Sequence, residues 1–180
     1  MKQLPFFILL ISLFSACKKD PIDSNPGTNG QTYMSAKLNG DLVKTWSPSG
    51  LIMKAEISAQ TKDTLYSLLI SGIETGSNFN QLKLGLGRGI PPEIGAYTDK
   101  GDCMALEGCA GIYYEVVKNG NTVKDYGSNP TLGSAANINF SILEFKSKGR
   151  VKGSFSGVIF EKDTDERMEV TEGEFDTYIQ

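Results

Sequence analysis

The chain is predicted to fold as a single all-β domain, an antiparallel β-sandwich or barrel of about nine to ten strands. Three observations carry that prediction. From Tyr33 onward apolar residues recur at every second position, the period of a strand with one buried face. Asn-Gly pairs at Asn39–Gly40 and Asn119–Gly120 separate alternating segments, and a tight hairpin turn needs positive φ at both of its central residues. No stretch sustains the spacing of an amphipathic helix, and 180 residues are enough for one sizeable core.

The N-terminus stands apart from this pattern. Lys2 is followed by an apolar run over 4–14 and then by the small residues Ser15 and Ala16. That run is short of the ~20 apolar residues that cross a bilayer, and the layout is that of a secretory signal peptide. Leu13, Phe14, Ser15, Ala16 and Cys17 resemble the bacterial lipoprotein signal, with Phe14 where Leu is usual and Leu13 one residue earlier. The resemblance implies cleavage after Ala16 (signal peptide 1–16), lipidation of Cys17 and a lipid bilayer as the first partner. The competing reading is an ordinary secreted protein with Cys17 as a spare thiol. Residues 17–31 then form a tether, because Pro21, Pro26, Gly27 and Gly30 with few apolar side chains cannot support a packed element. The all-β domain is assigned to 32–180.

Within the domain, Met34, Ala36 and Leu38 alternate with polar partners, and Asn39–Gly40 turns them into "DLVKTW", predicting a hairpin over 33–46. Further strands are expected over 51–59, 65–73, 81–86 and 112–117, with Asn119–Gly120 leading into 122–126. "NINFSI" places Ile138, Phe140 and Ile142 on one face, and the shifted parity of Leu143 and Phe145 predicts a β-bulge. "RVKGSFSGVIF" aligns Val151, Gly153, Phe155, Gly157 and Ile159. The last strand runs from Arg167 and resumes after Gly173 through Phe175 and Tyr178. Glycines inside such patterns mark bulges or close backbone approach.

The three cysteines fit an exported chain. With Cys17 lipidated, Cys103 and Cys109 form an even pair and are expected to be disulfide-bonded; reduced thiols or a metal pair are the alternatives.

Composition excludes several functions. With 18 Lys and Arg against 21 Asp and Glu, and no basic stripe, the chain has no footprint for nucleic acid. With no histidine, Ser-His, Cys-His and His-metal chemistry is excluded. No metal site or cofactor is expected. "GLGRG" at 85–89 runs into Pro91–Pro92 rather than a helix N-terminus, so it is read as a strand end and turn and not as a phosphate loop. The acidic run 161–174 does not match the calcium-loop spacing and is read as a solvated hairpin loop. Trp46, Tyr97, Tyr113, Tyr114 and Tyr126 are candidates for a sugar-binding platform, against the plainer reading of core or rim packing. Adjacent Tyr113 and Tyr114 must point to opposite faces of their strand.

Ala36, Asn39 and Gly40, Gly95 and Tyr97, Gly153, Phe155 and Gly157, and Gly173 and Phe175 together resemble uncharacterised Bacteroidota lipoproteins. The resemblance implies all-β architecture and attachment to the outer membrane, on its periplasmic face or at the cell surface. It carries no catalytic residue. The expected function is therefore a tethered, non-enzymatic binding or structural module whose partner is a glycan or an envelope protein. The alternative is a carboxylate-dependent glycan hydrolase using Glu115, Glu144 or Glu174.

Overall fold

The computed structural model describes residues 32–46, 51–60, 65–74, 77–101 and 107–179, of which 43–46, 51–60, 65 and 74 are described by backbone alone. The expected signal peptide, Cys17 and its tether, and Cys103, lie outside the described residues. Among the described residues eleven strands follow one another: β1 Tyr33–Leu38, β2 Asp41–Trp46, β3 Leu51–Gln60, β4 Leu65–Glu74, β5 Phe79–Arg88, β6 Gly95–Thr98, β7 Cys109–Lys118, β8 Asn121–Gly127, β9 Asn137–Leu143, β10 Arg150–Glu161 and β11 Arg167–Tyr178. A 3₁₀ turn, Pro130–Leu132, is capped by the Asn129 side chain, which accepts from Thr131 N.

All strands join one antiparallel sheet in the order β2-β1-β11-β10-β8-β7-β5-β4-β3. The sheet forks at β10. Its first half pairs with β9 from Val151 to Ser156, and only Phe160 and Glu161 pair with β8. Strand β6 then adds to the far side of β9. The sheet is open, which rules out the closed-barrel half of the expectation. It curls instead: β3 approaches β2 and β11 without a ladder, and Tyr66 of β4 meets Phe145, beyond β9, edge to face at 6.1 Å. The concave face so formed holds one core contributed by β1 and β4 through β11.

Local chemistry explains the elements. Asn39 and Gly40 have φ of 48° and 90°, and Asn119 and Gly120 have 51° and 76°, so both predicted hairpins turn where expected. Asn39 also anchors its hairpin sideways, because its side-chain oxygen accepts from Glu169 N at 2.8 Å. The bulge predicted near Leu143 is present earlier, at Ser141, which falls between the pairs Lys152↔Ile142 and Gly153↔Phe140. It takes Ile142 off the face of Ile138 and Phe140 and lets Leu143 and Phe145 pack on the core. A second bulge at Thr171–Glu172, with Glu172 at φ 51°, shifts the phase of β11. Met168 and Val170 point inward before it, and Gly173, Phe175 and Thr177 after it.

Candidate binding face

The convex side of β5, β7 and β8 carries the one sequence-nominated platform residue whose described side chain is on the surface. Tyr113 and Tyr114 point to opposite faces as strand periodicity requires, Tyr113 being 38% exposed and Tyr114 only 8%. Opposite Tyr113 stand Lys83 of β5 and Gly127 of β8. Opposite Gly111, two residues earlier on the same face, stands Gly85, whose own neighbour on β4 is Leu69.

These glycines let the Tyr113 ring lie down on the sheet. A methyl group on Gly111 would stand 2.8 Å from the Tyr113 hydroxyl oxygen, and one on Gly127 would stand 3.1 Å from the ring's Cδ1. One on Gly85 would meet Cε2 at 3.6 Å. The ring thus spans from β8 to β5 above the β7 backbone, covering glycines that would leave the ladder bare. At 38% exposure the ring is partly open to solvent. Leu69, also 38% exposed, extends this apolar spot on the far side of Gly85.

A row of charge crosses the same face one step along the strands. Glu115 and Asp125 are direct partners on β7 and β8, an arrangement that is repulsive in isolation. Each is matched on its outer flank: Lys83 Nζ donates to Glu115 at 2.7 Å, and Lys162 pairs with Asp125. The Asp125 contact, the largest influence, raises the Lys162 pKa against the lowering effect of burial. Four charges therefore sum to zero beside the ring.

The remaining nominated residues are placed elsewhere. Tyr97, Tyr114 and Tyr126 are core residues. The Tyr97 hydroxyl ties down the loop after β5, accepting from Arg88 and Glu93 N and donating to Glu93 O. Tyr126 packs on Tyr114 and accepts from Lys124 Nζ at 3.0 Å. The Trp46 side chain lies outside the described set. "GLGRG" is the end of β5 and the bend after it, as expected. Cys109 opens β7, half-buried. The three carboxylates nominated for hydrolysis fall on separate elements. Glu115 holds Lys83, Glu144 accepts from Arg150 N at 3.1 Å, and Glu174 accepts from the Tyr33 hydroxyl at 3.4 Å.

Glu174 and its same-face neighbour Asp176 belong to a cluster that sequence reading missed. Asp176 is on the convex face by periodicity yet 0% exposed. Arg150 grips it with two bonds, Nε to Oδ1 at 3.0 Å and Nη2 to Oδ2 at 2.6 Å, and Lys152 Nζ stands 3.8 Å away. Asp176 raises the Arg150 pKa through these bonds. Burial first, and then the charges of Glu174 and Asp176, push the nearby Tyr33 hydroxyl up to about 12. The signal that could have found it is the basic pair Arg150 and Lys152 at i, i+2 spacing, with Lys152 directly opposite Asp176.

Only 162–166 of the acidic run form the β10–β11 turn. Glu161 ends β10 and is buried, and 167–174 belong to β11, so the run is a short turn with strand on both sides rather than one solvated loop. Glu161 Oε2 accepts from Thr164 Oγ1, Thr164 N and Asp163 N at 2.7, 2.7 and 3.0 Å. The Thr164 hydroxyl first, and these amides with it, hold the Glu161 pKa below the usual 4.5. Lys124 does the same for Glu166. A carboxyl whose pKa is lower in the folded than in the unfolded chain stabilises fully above the unfolded value, and that contribution is lost as pH falls through the folded one. The melting temperature is therefore expected to drop on acidification below pH 4.5. Glu161→Gln should melt lower at neutral pH and show a shallower acid slope. An unchanged slope would remove Glu161 as a cause.

No protein-family model, curated protein or solved structure matches this chain.

Proposed function

We propose that the protein is an outer-membrane lipoprotein, cleaved after Ala16 and acylated on Cys17, whose all-β domain is a non-catalytic binding module. It resembles Bacteroidota lipoproteins in the residues given above, and it faces either the periplasm or the cell exterior. Its partners are the bilayer, through the acyl anchor, and a glycan or envelope protein, through the domain. Acyl chains on Cys17 hold the domain at the membrane, and the tether at 17–31 lets it stand roughly 20 Å clear by the coil estimate. A Cys103–Cys109 disulfide staples the loop ahead of β7 and adds about 2 kcal/mol in the chain-entropy model.

The observation that carries the reading is the Tyr113 ring, seated on glycines outside the core and 38% exposed. The prior engagement of Glu115, Glu144 and Glu174 supports binding over hydrolysis. In isolated outer membranes, hydroxyl-radical footprinting is expected to show Tyr113 less reactive than in the detergent-purified lipoprotein. Equal reactivity would count against this face as the binding site.

The anchor is tested separately. Cys17→Ser should abolish incorporation of labelled fatty acid and release a folded domain to the soluble fraction. A variant that stayed membrane-bound and labelled would refute lipidation at this residue.

A further inference from the structure

We infer that the Tyr113 face takes a neutral polysaccharide of equatorially substituted pyranose rings, an assignment that rests on the binding-module reading. The face offers three things such a ligand needs. The π-face of Tyr113 is electron-rich and flat, matching the axial C–H groups on one side of a pyranose. Beside it, Glu115 and Asp125 supply acceptors, and Lys83 and Lys162 donors, for charge-assisted bonds to vicinal hydroxyls. Residues two apart on a strand are separated by roughly 6.5 Å, so platform and charged row are one short step apart.

Charge and area choose this occupant over others. Two lysines facing two carboxylates leave no net field to attract a uronate or phosphate chain. Tyr113 and Leu69, each 38% exposed, offer together less than about 200 Å², given 150–250 Å² for a whole aromatic side chain. An ordinary protein interface needs about 800 Å² from each partner. The face lies inside the sheet, with β4 on one flank and β10 on the other, so a chain can run on past the ring in both directions.

The test is affinity electrophoresis of the detergent-purified lipoprotein in native gels containing a neutral β-1,4-glucan, a neutral β-1,4-xylan or polygalacturonate. Retardation is expected in a neutral gel and not in the anionic one. Tyr113→Ala should weaken retardation by about tenfold or more, as for a central aromatic anchor, and Tyr113→Trp should preserve it. Leu69→Ser leaves the glycine seat of the ring untouched and should weaken it by about threefold. If Tyr113 only shields the backbone, Tyr113→Ala will lower the melting temperature and leave retardation unchanged, which overturns the inference. So does preference for polygalacturonate, or no retardation in either neutral gel. Tyr113 still protected in outer membranes but no saccharide bound sinks this assignment alone; loss of both sinks the binding-module reading with it.

Discussion

Gly173→Ala is expected to destabilise the domain by about 3 kcal/mol, the upper end of what overpacking costs. The reason is a reciprocal lock between the last two long strands. Gly153 faces Phe175 and Phe155 faces Gly173 as direct partners on β10 and β11. Each phenyl ring lies over the other strand's glycine, and the two ring centroids are 6.3 Å apart. A methyl group on Gly173 would stand 2.4 Å from the Phe155 carbonyl oxygen and 2.6 Å from its ring. On Gly153 it would stand 2.1 Å from the Asn139 carbonyl oxygen and 2.7 Å from the Phe175 ring. Backbone cannot yield as a flexible side chain can, so the ladder that joins the two halves of the fork must shift. Urea unfolding measures the loss, and a Gly173→Ala change within about 0.5 kcal/mol of the parent would contradict the geometry. Phe155→Ala alone should cost about 3–5 kcal/mol through the cavity it leaves. Combined with Gly173→Ala it should cost less than the sum, because the methyl then meets space instead of a ring.

Arg150→Met is expected to cost about 3–5 kcal/mol, and more than Asp176→Asn. The two ends of this pair are not equivalent. The Asp176 side chain is fully buried whereas that of Arg150 is 27% exposed. Removing the guanidinium strands a carboxylate that water cannot reach, with Lys152 at 3.8 Å the one other cation in contact among the described residues. Removing the charge on Asp176 leaves a cation that can turn toward solvent and an amide oxygen that still accepts. The Arg150→Met/Asp176→Asn double variant should recover part of the loss, since no buried charge is then left alone. If Asp176→Asn proves the costlier single change, the burial asymmetry is not what governs this site.

Both sites show where reading the chain runs out. Gly153 and Gly173 stand out as glycines inside strand patterns, which mark either a bulge or a close approach, and the structure makes both a close approach. That each sits under the other strand's Phe depends on a register set by the Thr171–Glu172 bulge. Alternation alone places Asp176 outward, and its burial comes from Arg150 and Lys152 on the neighbouring strand, whose i, i+2 spacing is the only trace of it along the chain. The short β6 went unpredicted because four residues cannot display a period, and it exists by pairing with β9. Ile142 was assigned to the inner face because a bulge shifts parity at one residue, and sequence placed that residue two positions late.

What the sequence by itself determined is what depends on neighbours along the chain. The Asn-Gly hairpins, the period of two, and the opposed directions of Tyr113 and Tyr114 all follow from residues a few positions apart. The tertiary structure alone decided that the sheet is open and forked, that Tyr113 rather than Tyr114 faces solvent, and that Gly85, Gly111 and Gly127 converge beneath its ring. Those three glycines come from three strands, and only the pairing of the strands brings them together. Side-chain periodicity fixes two faces for a strand but is symmetric between them. The choice of which face is buried is made by the strands that pair beside it and by the core that closes over one side.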